Sequence, residues 1–329
     1  MRQDEKNGLT GRRTMKSMGP IVAARHTPRS RGFIHIAHFC VATVLACLLG
    51  GCAWLDVKQR ELALRPTPGR PAAYAEGQPA LQAAFQPGDL RWTVPVPRAG
   101  EPGPADRLSL WWLPQPRKDA PVLLYLHGTF RNLYANLPKI DALRRAGYAI
   151  VAVDYRGWGD STPIVPSEET IAADVRAAWA EVQRRQPDPG RRVIFGHSMG
   201  GAAAVTLAST LHRGSDFGAL ALESTFSSGP DVAAAAGFWG RVGAALTTLR
   251  FDSASRIGRV DAPILMLHGT ADKTVPVQVG RRLRDAAPPG TRWVEVPGGS
   301  HSDLHAEAPE IYQQAFKDLM QQLTPPYTP

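Results

Sequence analysis

One five-residue stretch, Gly196-His197-Ser198-Met199-Gly200, limits what this chain can fold into more than any other feature. It follows Arg192–Phe195, which predicts a buried strand, and it precedes the Ala-rich stretch Gly201–Ala204, which predicts a helix. A strand that turns sharply into a helix needs glycines on both sides, because a Cβ there would clash with the turn or with the helix behind it. The turn would lift Ser198 clear of the sheet as a candidate nucleophile.

The same five-residue pattern also arises by chance in glycine-rich chains, and this chain has 31 glycines. The surrounding pattern supports the turn, because strand and helix signals alternate from about residue 121 to the end. This order predicts an α/β fold with a doubly wound, mostly parallel sheet, whose chemistry gathers at the carboxyl ends of the strands. The predicted strands are Leu90–Val96, Arg107–Leu113, Pro121–Leu126, Tyr148–Val153, Arg192–Phe195, Ala219–Leu222, Ile264–Leu267 and Trp293–Val296, and the predicted helices include 133–146, one starting at Ser167, Gly200–His212, 276–287 and Pro309–Leu323.

An activated serine needs a base within hydrogen-bond reach and an acid that orients this base. Asp272 follows a predicted strand and is the candidate acid. Glu223, at the end of the preceding strand, is the rival acid and is assigned mainly a structural or pocket role. His301 follows the last strand and two glycines, which allow it to reach inward as the candidate base. His305, four residues further on, is its rival and is predicted to start the final helical region.

Stabilising the tetrahedral oxyanion requires two N–H donors. Met199, directly after the nucleophile, supplies one candidate, and Thr129 in the loop after the strand Pro121–Leu126 supplies the other, with Phe130 as the alternative. The remaining histidines of these motifs are assigned structural roles. His127 is predicted to form structural hydrogen bonds, and His197 is predicted to point away from the nucleophile and pack against neighbouring loops.

The sequence predicts neither a metal site nor a cofactor. The nine histidines are scattered, and the one pair at helical spacing, His301 and His305, follows Pro297-Gly298-Gly299, which indicates a loop. The glycine-bearing stretch 154–161 lacks the spacing of a phosphate-binding or dinucleotide-binding loop.

The net charge of +9 does not indicate a nucleic-acid partner, because most of the excess lies at the N-terminus. Residues 1–51 carry a net charge of +6 and the remainder only +3. An apolar stretch from Phe33 to Leu49 follows three arginines and ends in Leu49-Gly50-Gly51-Cys52, which resembles a bacterial lipobox. We expect a signal sequence over 1–51 and lipidation at Cys52; an uncleaved membrane anchor is the alternative.

The expected location is therefore the cell envelope, with lipid anchoring on the periplasmic side of a membrane. Ala53 replaces the aspartate that often signals inner-membrane retention, which favours the outer membrane. Residues 52–104 predict an N-terminal tether and edge segment, and 105–329 predict the catalytic domain. In the tether, Leu55–Leu62 could be a short helix or a surface arm, whereas the proline-rich stretch 66–104 predicts a semi-extended chain with the edge strand. Within it, 225–262 could form a lid over an apolar pocket or simply cover the sheet.

Several separate motifs in order resemble the α/β-hydrolase superfamily over about residues 105–323, and within it the Bem46-like or ABHD-type serine hydrolases, including lipoprotein members. Relatives often carry Asn where this chain has Thr129, and Asn-Asp where it has Ser302-Asp303; both changes preserve the backbone roles. The motifs that carry the resemblance are His127-Gly128, 154–161, Pro166-Ser167-Glu168 with Asp174, 196–200, Glu223-Ser224-Thr225-Phe226, Phe251-Asp252-Ser253, 268–272 and Gly299-Ser300-His301. Lys58-Gln59-Arg60 and Arg65-Pro66-Thr67-Pro68 are similar to the start of lipoprotein members, which implies that the tether packs on the domain.

The resemblance implies a serine hydrolase that cleaves a carboxylic ester or thioester of a small-molecule acyl substrate through an acyl-enzyme. A peptidase or an acyltransferase on the same three residues is the alternative within enzymes. A non-catalytic envelope lipoprotein that keeps the fold as a binding module is the alternative outside them. The sequence does not predict the oligomeric state.

Overall fold

The computed structural model describes residues 51–98 and 103–323. Its eight strands are β1 (Leu90–Val96), β2 (Asp106–Leu113), β3 (Val122–Leu126), β4 (Ala149–Asp154), β5 (Arg192–His197), β6 (Ala219–Glu223), β7 (Ile264–Gly269) and β8 (Arg292–Val296). They form one sheet in the order β1-β2-β4-β3-β5-β6-β7-β8. The β1–β2 and β2–β4 pairs are antiparallel and the other five are parallel. The predicted mostly parallel α/β sheet is confirmed.

Helices in the described residues are α1 (residues 51–64), α2 (Pro79–Ala83), α3 (Leu137–Arg145), α4 (Glu168–Arg185), α5 (Met199–Ala208), α6 (Gly229–Ala235), α7 (Phe238–Leu246), α8 (Ala254–Ile257), α9 (Val277–Asp285), α10 (Leu304–Glu307) and α11 (Pro309–Met320). One hydrophobic core joins the sheet to α4, α5, α8 and α9, and the other joins it to α3, α10 and α11. Both faces of the sheet are therefore covered.

The central strand β3 shows why its sequence is continuously apolar. Leu124 and Leu126 enter one core, whereas Leu123 and Tyr125 enter the other. Successive side chains of a strand point to opposite faces, so a strand covered on both faces has no polar positions. All five residues of β3 are buried.

Two predicted helices differ most from the structure in their bounds. The segment 133–146 divides into a 3₁₀ turn, Leu133–Asn136, and α3, because Pro138 has no N–H to donate to the preceding turn. The predicted helix Gly200–His212 ends earlier, at Ala208, and His212 lies exposed beyond it in a turn that Asp216 stabilises through the His212 N–H.

The segment predicted as a tether packs on the domain. Leu64 at the end of α1 is buried in the core, and the N–H of Gly69 donates to the carbonyl of Gly159 at 2.7 Å. The short helix α2, which the proline-rich composition did not indicate, buries Leu81. Residues 53–98 therefore form part of the folded unit, whereas the proline-rich composition of 66–104 predicted a semi-extended chain.

The predicted signal sequence falls on residues outside those described, apart from Gly51. Cys52, the predicted lipidation site, is exposed and has a free thiol. Within 51–98 and 103–323, no helix has both the length and the apolar character needed to cross a membrane.

Candidate active site

The turn between β5 and α5 consists of Ser198 alone. Its backbone has φ +55° and ψ −122°, a conformation that L-residues rarely adopt. A Cβ on Gly196 would collide with the carbonyl oxygen of Gly200, and a Cβ on Gly200 would collide with the carbonyl oxygen of Leu126. Gly196 therefore lets α5 pack closely on β5, and Gly200 lets α5 pack closely on the end of β3, on either side of the strained turn at Ser198.

The three residues predicted as nucleophile, base and acid form one line of hydrogen bonds. His301 Nε2 lies 3.0 Å from Ser198 Oγ, and His301 Nδ1 lies 2.7 Å from Asp272 Oδ2. All three side chains are buried. Since a carboxylate only accepts, Nδ1 carries the proton and Nε2 offers its lone pair to the Ser198 hydroxyl. This is the tautomer that lets an imidazole take a proton from serine.

The carboxylate of Asp272 is held from its other side by the loop that follows β7. Its Oδ1 accepts the N–H groups of Thr274 and Val275, each at 2.8 Å, and His268 Nε2 lies 3.4 Å from Oδ2. Burial by itself would raise the pKa of Asp272, but the hydrogen bonds from His268, His301 and Val275 outweigh it and hold this pKa well below its ordinary value. Asp272 therefore stays ionised beside His301.

The predicted oxyanion donors lie against the nucleophile. Met199 is the first residue of α5, so its N–H has no acceptor within the helix. A Cβ on Gly128 would lie 3.1 Å from Ser198 Cβ, which places the loop after β3 beside the serine. Trp158, which follows β4, restrains this loop, because its Nε1 donates to the carbonyl of Thr129 at 2.8 Å. Thr129 and the alternative, Phe130, both line cavities that Ser198 also lines.

His197 has a contact whose importance the sequence did not indicate. Its Nε2 lies 2.9 Å from the backbone carbonyl oxygen of His301, and the two imidazole centroids are 5.0 Å apart. His197 thus packs against a neighbouring loop, as predicted, but that loop carries the candidate base. Only the long-range contact reveals this relationship, because nothing near His197 in the sequence specifies it.

His127 and Glu223 have structural partners. His127 is buried with Nδ1 2.6 Å from the carbonyl oxygen of Gly128, and burial lowers its pKa to about 4. Glu223 forms a buried ion pair with Lys139 and accepts the hydroxyl of Tyr312 at 3.0 Å. The Glu223 carboxylate thus contacts Lys139 and Tyr312, whereas the Asp272 carboxylate contacts His301.

His305 lies on the short helix α10 and packs near the ring of Tyr312, with the two centroids 6.2 Å apart. His301, rather than His305, makes the hydrogen bond to Ser198. In the described residues, no group of three or more His, Cys, Asp or Glu side chains is arranged to hold a metal ion.

Two cavities meet at Ser198. The first, about 280 Å³, is mainly apolar, and the second, about 230 Å³, is more polar. The first is lined by Leu62, Ala63, Leu64, Arg65, Thr129, Phe130, Ser198, Met199, Phe226, Gly229, Val232, Ala233, Thr247, Leu249, Phe251, Thr274 and Val275. The second is lined by Gly128, Thr129, Phe130, Arg131, Asn136, His197, Ser198, Thr274, His301 and Ser302.

The apolar cavity draws its walls from segments far apart in the chain. The end of α1 forms one wall, although composition assigned that region to a tether. Helix α6 and residues 247–251, from the stretch proposed as a lid, form another. The sequence signal for the first wall was the similarity of Lys58-Gln59-Arg60 and Arg65-Pro66-Thr67-Pro68 to the start of lipoprotein members.

The family model for Serine aminopeptidase, S33, matches residues 117–251. An uncharacterized protein of Mycobacterium tuberculosis is 35% identical over 223 residues, which cover 64% of this chain and 77% of that protein. The lysophosphatidylserine lipase ABHD12 of Danio rerio is 32% identical over 192 residues, covering 54% of this chain and half (50%) of the lipase.

Among solved structures, the Pyrococcus furiosus esterase Pf2001 superposes with a TM-score of 0.58. The match covers 78% of this chain and 99% of the esterase at 16% sequence identity, and so shows a common fold. The family match, the relatives and the order of strands in the sheet all indicate an α/β-hydrolase. The protein is a hydrolase by family, and the chain belongs to the ABHD-type α/β-hydrolases.

Proposed function

We propose that this protein hydrolyses a carboxylic ester or thioester through an acyl-enzyme on Ser198. The observation that carries the proposal is the continuous line of hydrogen bonds from Ser198 Oγ through His301 to Asp272. This line supplies a nucleophile, a base in the required tautomer and an ionised acid to stabilise the imidazolium.

In the first half-reaction, Ser198 Oγ bonds to the substrate carbonyl carbon while its proton passes to His301 Nε2. The resulting oxyanion accepts hydrogen bonds from the N–H groups of Met199 and Thr129. The bond from the carbonyl carbon to the leaving oxygen or sulfur then breaks, and the imidazolium returns the proton to the leaving group. An acyl group remains on Ser198.

In the second half-reaction, His301 Nε2 takes a proton from water as the water oxygen attacks the acyl carbon. The same donors hold the second oxyanion. The bond to Ser198 Oγ breaks, and the proton on His301 returns to this oxygen, which restores the serine and releases the acid. Asp272 keeps His301 oriented in both half-reactions.

The two cavities support an amphipathic acyl ester as the substrate class. The apolar cavity suits an acyl chain, because its walls are mainly Leu, Val, Ala and Phe side chains. The polar cavity on the other side of Ser198 contains Arg131, Asn136 and Ser302, which suit a polar leaving group. The zebrafish relative's designation as a lysophosphatidylserine lipase agrees with a single-chain acyl ester of this kind.

A peptidase is the second candidate, because the matching family model is described as a serine aminopeptidase. An aminopeptidase must hold the ammonium group of its substrate, and a carboxylate is the usual means. Among the described residues that line either cavity there is no Asp or Glu, whereas Arg65 and Arg131 are present. This charge distribution favours the ester.

A fluorophosphonate probe tests whether Ser198 is an activated nucleophile. The folded protein should be labelled at Ser198, and Ser198→Ala should abolish the labelling. If the folded protein is not labelled, the enzyme proposal is wrong and the binding-module alternative gains support. A panel of p-nitrophenyl esters beside aminoacyl-amides then separates esterase from peptidase activity, and addition of an acceptor alcohol detects acyl transfer.

We also propose that the protein is attached to the envelope through lipid on Cys52. The support is the lipobox-like Leu49-Gly50-Gly51-Cys52 and the exposure of Cys52. Cys52→Ser should prevent incorporation of labelled palmitate and move processed protein out of the membrane fraction. Palmitate incorporation that persists in this variant would contradict the assignment.

A further inference from the structure

Large apolar side chains exposed on the described surface are concentrated on two helices, α1 and α7, and two of them, Leu62 and Phe130, line the apolar cavity. Ten such residues are exposed, and eight of them lie on α1, on α7 or at Phe130 in the cavity wall. Scattered single apolar residues are normal on a protein surface, whereas a contiguous group indicates a contact surface. The eight are Trp54, Leu55, Leu62, Phe130, Phe238, Trp239, Val242 and Leu246, and the two elsewhere are Leu90 and Ile311.

On α1, the exposed apolar residues share one side of the helix. Trp54, Leu55 and Leu62 fall within about 100° of arc at 3.6 residues per turn. The opposite side makes contacts with the domain, because Leu64 is buried and Arg60 donates to the carbonyl of Pro166. Helix α1 therefore presents one apolar side away from the protein.

On α7, the arrangement is similar. Phe238, Trp239, Val242 and Leu246 also fall within about 100° of arc, and no residue of this helix is buried. Trp239 is 80% exposed and Leu246 is 74% exposed. Within the described structure, no other segment buries the apolar side of α7.

Helix α1 contacts the segment that directly follows α7, beside the cavity. Gln59 on α1 hydrogen-bonds Thr247 just after α7, and Asp56 accepts the hydroxyl of Thr248 at 2.7 Å. Leu62 on α1 is 74% exposed and also lines the cavity, so the exposed apolar surface continues into it. We call Trp54, Leu55, Leu62, Phe238, Trp239, Val242 and Leu246 the α1–α7 face.

Charge and chain continuity identify the partner of this face. Residues 232–250 contain two arginines, Arg241 and Arg250, and no Asp or Glu, and both arginines are exposed. Trp and Phe on an apolar side with arginine beside it are typical of helices that lie in the headgroup region of a bilayer. The apolar stretch from Phe33 to Leu49 also ends only five residues before Trp54. An N-terminus held in a membrane would therefore keep α1 beside lipid.

We propose that the α1–α7 face docks on an anionic lipid bilayer, with its aromatic side chains at the level of the acyl chains and the cavity opening toward the lipid. This contact is separate from the covalent anchor on Cys52. Docking in this orientation would let a single-chain lipid ester pass from the bilayer into the cavity beside Ser198 without crossing water. The route for the substrate rests on the proposed function, whereas the docking itself does not.

The test uses the full chain with its three cysteines, all N-terminal, replaced by serine. An environment-sensitive fluorophore is attached either at Leu246→Cys on α7 or at Ile311→Cys on α11, an exposed apolar control site. Each protein is reconstituted in vesicles of phosphatidylcholine and phosphatidylglycerol, with and without nitroxide groups on the acyl chains. A thermal unfolding midpoint equal to that of the unsubstituted protein confirms that each variant is folded.

We expect the label at 246 to shift to shorter wavelength in vesicles and to be quenched by the nitroxide lipids, whereas the label at 311 stays unquenched. Equal water exposure at both sites would overturn the proposal. A wavelength shift at 246 without quenching would also overturn it, because shielding would then come from a second copy of the chain.

Kinetics give an independent measurement. Phe238→Ser combined with Trp239→Ser should lower hydrolysis of a single-chain ester embedded in vesicles by about tenfold, since each large apolar side chain contributes substantially to interfacial binding. Hydrolysis of water-soluble p-nitrophenyl acetate should stay unchanged, because neither residue lines the cavities. An equal effect on the two esters would contradict docking. If the unsubstituted protein hydrolyses neither ester, the proposed function is wrong, and the labels still decide the docking.

Discussion

His197 Nε2 lies 2.9 Å from the backbone carbonyl oxygen of His301, so the residue before the nucleophile holds the loop of the candidate base. Burial, together with the nearby cation of Lys139, holds the pKa of His197 well below its ordinary value. His197 is therefore neutral, and its single N–H donates to that carbonyl. The hydrogen bond connects the turn after β5 with the loop after β8, which lies 104 residues further along the chain.

The first prediction concerns this positioning hydrogen bond. His197→Phe keeps a ring of similar size but removes the donor, and we expect kcat to fall about tenfold because the His301 loop loses a buried hydrogen bond. His197→Gln, whose amide can donate, should restore much of the rate. Ester hydrolysis measured beside unfolding midpoints separates positioning from stability. A loss of rate that follows stability alone in both variants would argue against the positioning role.

The second prediction concerns the acid. In Asp272→Asn, the N–H groups of Thr274 and Val275 would keep the amide oxygen at the Oδ1 position. The amide NH₂ would then face His301 and favour the tautomer with its proton on Nε2, which leaves no base for Ser198. We expect kcat to fall by about four orders of magnitude. Asp285→Asn on the exposed end of α9 is the matched control and should retain full activity.

The third prediction concerns the apolar cavity. Val232 on α6 lines it, and Val232→Trp should fill part of its 280 Å³ volume. We expect kcat/KM for p-nitrophenyl esters of long acids to fall about tenfold or more, because the acyl chain loses buried contact area. Esters of acetate should react at the original rate. Ile311→Trp on α11 controls for a surface tryptophan, and an equal loss for short and long esters would place the acyl chain elsewhere.

The fourth prediction compares two glycines. A Cβ on Gly200 would collide with the backbone of Leu126 and His127, so Gly200→Ala should lower the free energy of unfolding by about 3 kcal/mol and weaken Ser198 labelling. Gly243 on α7 has no neighbouring heavy atom within 4 Å of its Cβ position. Gly243→Ala should raise the free energy of unfolding by about 0.5–1 kcal/mol, because alanine favours the helix. Urea unfolding measures both changes.

The fifth prediction concerns the buried side chains of Asp154 and His127, whose nearest side-chain atoms, Oδ1 and Nε2, lie 3.5 Å apart. Burial raises the pKa of Asp154 to about 7 and lowers that of His127 to about 4. Both groups are therefore mainly uncharged in the folded protein between these values. In the unfolded chain, their ordinary values are about 3.9 and 6.5.

The two contributions to stability have opposite signs in that range. Folded Asp154 keeps a proton that the unfolded chain releases above about pH 4, so its contribution falls as pH rises. Folded His127 lacks a proton that the unfolded chain binds below about pH 6.5, so its contribution falls as pH falls. Asp154→Asn removes the contribution of Asp154, so nothing offsets the loss of stability that His127 causes as pH falls. Its free energy of unfolding should therefore decline more steeply than that of the unsubstituted protein between about pH 7 and 4.

Urea unfolding at several pH values measures this difference in slope. Asp285→Asn on the protein surface should follow the unsubstituted protein. Parallel curves for Asp154→Asn and the unsubstituted protein would show that Asp154 is ionised in the folded state, in conflict with the pKa that burial produces.

Much of the fold was predictable from local patterns. The continuous apolar runs at β3 and β4 predicted strands covered on both faces, and the two hydrophobic cores on either side of the sheet account for them. The turn at Ser198 was also predictable from its flanking glycines. Gly196 prevents a clash with Gly200, only a few residues away, whereas Gly200 prevents a clash with Leu126 and His127, which are distant in the sequence. Helix ends were less predictable, as the early end of α5 at Ala208 shows.

The sequence by itself thus determined the order of the elements and the candidate residues Ser198, Asp272 and His301. Only the tertiary structure decided that the end of α1, at Leu62 and Leu64, lines the cavity at Ser198, and that Lys139 is buried against Glu223. The physical reason is the range of the interactions. Backbone conformation and burial patterns depend on neighbouring residues, whereas a shared cavity wall or a buried ion pair forms only after chain closure brings distant segments together.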